Sequence, residues 1–313
     1  MSGYTKLQLL KAYAIDWILC FVFLAIFFGV DRLEPYHRLF SLEDKTIQFT
    51  YAEKERVPMW LCAVIVVVFP FLVMTFVALV IKKSMHDWHH ASLGLLMGLT
   101  LALMVTEVFK NTVGRPRPDF LDRCQPKAGA TDSPVFGLSD ASICTRTDLL
   151  KDGFKSFLSG HSSTSFAGMG FLSLYFAGKL HVFDQKGYTY KGFIVAAPLV
   201  VATLIAVSRT EDYRHHWQDV LAGGLVGFLL SFFAYHQYYP SLNSKISDRP
   251  FTIRLKQPTP HYKAEFNFMD GSEVEITVVK NDEHVIAKDS RALLAADTSN
   301  TTPDGGSAEI IVS

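Results

Sequence analysis

Between Arg56 and Lys82 the chain runs for 25 residues without one charged side chain. A helix needs about 20 predominantly apolar residues to cross the hydrocarbon core of a bilayer. This stretch is long enough to span, with Pro58 as an entry turn and Pro70 as a kink. Comparable windows run roughly over 12–30, 88–109, 162–178, 192–208 and 218–237. One such window could be a buried helix of a large soluble protein; six of them predict an all-α polytopic membrane protein with six transmembrane helices. The 49% hydrophobic content and mean hydropathy of +0.20 agree. The first window contains Asp16 and lacks a small-residue cleavage site before the charged Asp31–Arg38 segment, so it reads as an uncleaved span rather than a signal peptide. Formal net charge is zero, which gives no electrostatic case for nucleic acid as a partner; the bilayer is the partner implied.

Six spans place both termini on one side. They place the end of span 3, the start of span 4, the end of span 5 and the start of span 6 on the other. Lys and Arg number 15 on each side. Setting aside Lys110, Arg117 and Arg209 as residues kept for chemistry leaves a lean toward cytosolic termini. Cys20 and Cys62 lie within spans and read as packing residues. Cys124 and Cys144 share the loop between spans 3 and 4, where a disulfide would suit an oxidising lumen. Two free thiols is the other reading.

The membrane domain is expected over 1–239, followed by a polar, mostly disordered cytosolic tail over 240–313. Within that tail, Phe266 to Val279 alternates around Asp270-Gly271 in the manner of a hairpin. Asp297 to Ser307 is rich in Thr, Ser, Asp and Gly, and Asn300-Thr301-Thr302 forms a sequon expected to be unused on the cytosolic side. The 111–158 loop is the largest between spans and is expected to cover a site. Gly223 and Gly227 have small-xxx-small spacing, which permits close helix contact inside the molecule or across a dimer.

Three polar clusters sit at those four span ends. The first is Lys110 through Arg117-Pro118, the second Ser159-Gly160-His161, the third Arg209 with His215 and Asp219. Together they hold three fixed cations, two imidazoles and a carboxylate, a set suited to gripping and cleaving a phosphate ester. Phosphoryl transfer spreads charge over the equatorial oxygens, so catalysis rests on positioning and electrostatic clamping. Arg117 and Arg209 offer planar forks and Lys110 a point charge. Gly114, Pro116 and Pro118 end the helix so that the segment can fold back. Arg115 and Lys155 read as snorkelling interface residues. Ser159 and Gly160 stand before span 4, where unpaired backbone N–H groups favour an anion, and His161 is placed to protonate a leaving oxygen. His215 and Asp219, four apart at the start of span 6, would share a helix face. The carboxylate could then take the Nδ1–H and leave Nε2 free as nucleophile. His216 points elsewhere and reads as structural. Metal is the rival explanation, with Glu107, Asp119 and Asp122 nearby, but three fixed cations would disfavour a divalent ion. No metal and no cofactor are expected.

Lys-x6-Arg-Pro, Ser-Gly-His and Ser208-Arg209-x5-His215-x3-Asp219 together resemble the three-part motif of the type-2 phosphatidic acid phosphatase superfamily. The surrounding Gly-Arg-Pro-Arg-Pro-Asp-Phe and Asp212-Tyr-Arg-His-His-Trp-Gln-Asp219 resemble eukaryotic lipid phosphate phosphatases, especially fungal diacylglycerol pyrophosphate phosphatases. Leu158 departs from the Pro found before the Ser in much of the superfamily. The resemblance implies a six-span core and a phosphohistidine intermediate, with His215 as nucleophile, Asp219 as its orienting partner and His161 as general acid. Lys110, Arg117, Ser159, Gly160 and Arg209 would bind the phosphoryl group. The implied substrates are phosphatidate, diacylglycerol pyrophosphate and related lipid phosphates, hydrolysed without Mg²⁺ on the luminal or extracellular face of a vacuolar, other endomembrane or plasma membrane. A dolichyl diphosphate or sphingoid-base phosphate phosphatase is the near alternative. A non-enzymatic phosphate-binding membrane protein or transporter is the distant one. Oligomeric state is not readable from these residues.

Overall fold

The computed structural model describes residues 6–252 and 254, together with four strands between 262 and 310. Six long helices carry the body: α1 (Lys6–Asp31), α2 (Met59–Ile81), α3 (Met85–Val113), α4 (Gly160–Lys179), α5 (Thr189–Glu211) and α6 (Trp217–Tyr238). They fall on the six apolar windows. Five of them are long and apolar enough to cross a membrane, and α4 is the exception. Its 20 residues reach about 30 Å, enough to span, but they are rich in Ser and Gly. Most of them are buried against α2, α3, α5 and α6. Of the six transmembrane helices expected, five of the described helices have the length and apolarity to cross a membrane, and α4 has the length alone. A helix shielded by its neighbours needs no lipid-compatible surface.

Local sequence explains the ends and irregularities of these helices. In α2 the turns at Val64–Val68 and Phe76–Ile81 are widened to π geometry. Pro70 follows the first of them, where a wide turn absorbs its missing N–H and its ring. Ser84 caps α3 by accepting a hydrogen bond from the Asp87 N–H. At the other end Gly114 adopts φ 56°, and a β-carbon there would lie 1.7 Å from the Tyr36 carbonyl oxygen, so only glycine fits. The Gly223/Gly227 pair is used inside the molecule: a β-carbon at Gly227 would come within 2.0 Å of the Ser163 carbonyl oxygen. This lets α6 lie directly on the start of α4, which brings two of the three polar clusters together.

Above the α3–α4 end, residues 32–58 and 114–158 form a cap with its own small core of Phe40, Ile47, Phe120, Leu150 and Phe154. Phe40 and Ser139 pair backbone to backbone, and Asp132 accepts from Ser41, Ser139 and the Leu42 N–H. Cys124 and Cys144 are joined in a disulfide inside this core, with Cα atoms 4.7 Å apart. The site cover is thus built from two loops, where the sequence pointed to one.

The compact helical unit runs from Leu10 to Thr252. Residues 240–252 are held by specific bonds, among them Phe251 N–H to the Tyr238 carbonyl and the Lys82–Asp248 ion pair at 3.0 Å. The second unit contains an antiparallel four-stranded sheet in the order β3-β2-β1-β4: β1 (Tyr262–Met269), β2 (Glu273–Lys280), β3 (Glu283–Ile286) and β4 (Ala308–Ile310). Strands β1 and β2 pair from Tyr262↔Lys280 to Met269↔Glu273, the hairpin that the alternation suggested. The Asp270-Gly271 turn, the 297–307 segment and the sequon lie outside the described residues.

Candidate active site

The three clusters meet at one end of the bundle. Lys110 occupies the last turn of α3, and a β-carbon on Gly160 would lie 3.1 Å from its Nζ. The Ser159 N–H donates to the Asp219 carbonyl at 3.1 Å, and Arg117 donates through Nη1 to the Arg214 carbonyl at 3.2 Å. Each cluster therefore touches the other two, which brings Lys110, Arg117, Ser159, Gly160, His161, Arg209, His215 and Asp219 to one end of the bundle. Arg117, Ser159, His161, Arg209, His215 and Asp219 are buried. Ser159 is the N-cap of α4, with its hydroxyl toward the Ser162 N–H.

The two histidines differ in their fixed partners. His161 donates from Nε2 to the Val57 carbonyl at 3.0 Å, which leaves Nδ1 as the nitrogen able to exchange a proton. His215 places Nδ1 2.6 Å from the Ser156 carbonyl. A carbonyl only accepts, so the proton sits on Nδ1 and the lone pair on Nε2. Burial first, then the positive charges of Arg117 and Lys110, hold the His215 pKa well below the ordinary imidazole value of 6.5. His215 is therefore neutral at physiological pH, as a nucleophile must be.

The partner assigned to His215 from spacing is corrected. Helix α6 starts at Trp217, with His216 as N-cap, so His215 lies ahead of the helix and the shared-face rule does not reach it. The Asp219 carboxylate instead accepts from Arg115 at 2.6 Å, from the Ser156 hydroxyl at 2.6 Å and from the His216 backbone N–H at 3.1 Å. With His216 it closes a capping box. Asp219 bears on His215 only through Ser156, whose hydroxyl it holds and whose carbonyl holds the imidazole.

Carboxylates whose pairing the sequence does not show organise the cations. Asp152 bridges Arg117 at 2.7 Å and Arg123 at 2.9 Å. Glu55 bridges Arg209 at 3.0 Å and Arg214 at 3.2 Å. Glu107 bridges Lys155 at 2.6 Å and Lys110 at 3.5 Å. Asp212 takes Arg209 at 2.6 Å and Arg56 at 3.0 Å. Arg123, Arg209 and Lys155 in turn each meet two carboxylates, which fixes the cations in a shared network; Lys110 reaches Glu107 at 3.5 Å, against 2.6 Å for Lys155. The available signal was topological: Glu55 and Val57 stand at the end of the first loop, on the same side as the clusters. Lys155 and Arg115 are corrected from interface snorkellers, since Lys155 is buried on Glu107 and Arg115 secures Asp219. The carboxylates that a metal mechanism would draw on are engaged elsewhere: Asp119 takes both bonds of Arg123, Asp122 accepts the Tyr51 N–H, and Glu107 holds two lysines.

Buried guanidinium forks, a lysine and two imidazoles of fixed tautomer, set at one end of a membrane helix bundle, define an integral-membrane enzyme of phosphoryl chemistry. The chain belongs to the PAP2 superfamily, which it matches over residues 91–242, a span that takes in all three clusters. It is 42% identical to lipid phosphate phosphatase 2 of Arabidopsis thaliana over 72% of this chain and 77% of that one. It is 41% identical to the probable diacylglycerol pyrophosphate phosphatase 1 of Schizosaccharomyces pombe, over 68% and 76%. With diacylglycerol pyrophosphate phosphatase 1 of Saccharomyces cerevisiae it shares 35% identity over 79% and 88%. No solved structure matches.

Proposed function

We propose that this protein is a membrane lipid phosphatase that hydrolyses phosphatidate, diacylglycerol pyrophosphate and related lipid phosphates through a phosphohistidine. The observation that carries the reading is the neutral His215, with Nδ1–H fixed on the Ser156 carbonyl and its other nitrogen free among Lys110, Arg117 and Arg209. The cations and the N-terminus of α4 hold the non-bridging oxygens. His215 Nε2 forms a bond to phosphorus as the bond to the lipid oxygen breaks, and His161, which takes up a proton on Nδ1 together with the incoming phosphate dianion, gives that proton to the leaving oxygen. Water then attacks the phosphohistidine, His161 takes a proton back, and inorganic phosphate leaves. Ser156 is a positioning residue for the nucleophile, and Asp219 acts on it in turn.

The disulfide and the alternation of helices support cytosolic termini with the site on the luminal or extracellular face. The test is phosphate release from a panel of lipids by the purified protein in detergent with EDTA present. Turnover of phosphatidate or diacylglycerol pyrophosphate, lost in His215→Ala, is expected, with inhibition by vanadate. Strict dependence on added Mg²⁺ would sink the mechanism. Preferential turnover of dolichyl diphosphate or sphingoid-base phosphates would reassign the substrate.

A further inference from the structure

Arg117, which the proposed function assigns to phosphate, is already occupied. Its backbone N–H donates to the Gly153 carbonyl at 2.9 Å, Nε to the Asp152 carbonyl at 2.8 Å, and Nη2 to the Asp152 carboxylate at 2.7 Å. The other carboxylate oxygen of Asp152 is 2.9 Å from Arg123 Nη1. Arg123 is itself fully buried and clamped by both oxygens of Asp119, at 2.8 and 3.0 Å. Asp152 thus has one fixed anchor and one contact on the phosphate-gripping fork. Its side chain is 52% exposed while that of Arg117 is 8% exposed. Asp152 stands at the solvent edge of an otherwise closed site.

We infer that Asp152 is an internal competitor for phosphate on Arg117. Its carboxylate oxygen holds the guanidinium N–H edge that a phosphate oxygen takes. The carboxylate stays on its Arg123 anchor when phosphate binds and returns to Arg117 as product leaves. A site with three cations and a helix N-terminus would otherwise hold the product dianion tightly. Desolvation raises the Asp152 pKa, but Arg117, then Arg123 and Lys110, hold it well below the usual carboxylate range. The competitor is therefore charged at every working pH.

The test compares full-length wild type with Asp152→Asn, which keeps the shape and one acceptor but removes the charge, and with Asp152→Ser and Asp152→Glu. Binding of inorganic phosphate and of vanadate is measured by calorimetry, alongside product inhibition of turnover and melting temperature. Removing one charge beside a bound anion should lower the phosphate Kd about five- to tenfold in the Asn variant. The Ser variant should shift in the same direction, and Glu should restore wild-type binding. Phosphate binding that is unchanged or weaker in folded Asn and Ser variants would overturn the inference and leave Asp152 as scaffold. The binding arm does not depend on turnover. Tightened phosphate binding in a protein that hydrolyses no lipid phosphate would sink the functional reading and leave this one standing.

Discussion

Both ends of α3 bury charge, in opposite ways. At its first turn Asp87 takes Lys179 at 2.6 Å and the hydroxyls of Tyr175 and Tyr239 at 2.9 Å each. One carboxylate there is saturated by three donors in an aromatic setting, and the group is closed. At the last turn Lys110 meets Glu107 at 3.5 Å, a carboxylate that Lys155 already holds at 2.6 Å. The difference teaches where chemistry is possible. Saturated buried charge fixes packing, whereas a loosely paired lysine beside a neutral imidazole keeps capacity for an incoming anion.

The largest test of the contrast is His215→Ala against Asp87→Asn. The first should lower kcat/KM by more than about a thousandfold, since it removes the proposed nucleophile, with little change in melting temperature. The second should keep activity per folded molecule and cost about 3 kcal/mol of stability, because the Lys179 side chain, only 6% exposed, loses its counter-ion. Loss of activity in folded Asp87→Asn would break the division between the two ends. Opening the disulfide with Cys144→Ser should cost about 3 kcal/mol by loop entropy, for a bridge that spans 20 residues. Limited proteolysis should then find the cap over 114–158 opening first and the Asp87 end protected.

Asp219→Asn sharpens the site end. A carboxylate that set the His215 tautomer directly would cost roughly 10⁴-fold in kcat. With the Ser156 carbonyl in that role, the loss should be on the order of a hundredfold, with about 1 kcal/mol of stability from the capping box. The smallest effect is on pH. The folded-state pKa of His215 lies below that of the unfolded chain, near 6.5, so only the unfolded state gains this proton as pH falls. Stability should be full above about pH 6.5 and decline below it by at most about 1.4 kcal/mol per pH unit. His215→Asn should flatten that slope in thermal melts.

The legible part of the site was its inventory. Lys110, Arg117, Ser159, Gly160, His161, Arg209, His215 and Asp219 were marked by residue type and by position at helix ends, and the structure gathers them. What could not be read was partnership. The four-residue spacing suggested a His215–Asp219 pair, but the helix starts two residues after His215, and cap geometry turned the carboxylate toward His216, Ser156 and Arg115. Arg115 and Lys155 resembled surface residues because a lone cation carries no local mark of the carboxylate that will bury it. For α4, the 162–178 window was counted with the other apolar windows, and its shielding by four neighbours is a tertiary property that no window shows.

Hydrophobic windows and their count determined, from sequence alone, that helices cross a bilayer and that three polar clusters lie at the same end. Those are local properties, set by composition over about 20 residues. The tertiary structure decided which oxygen holds which proton, which carboxylates share which cations, and that a first-loop glutamate and a half-exposed aspartate belong to the site. These are distances between residues far apart in the chain. They are fixed only when α6 settles onto α4 and two loops close over the end of α3.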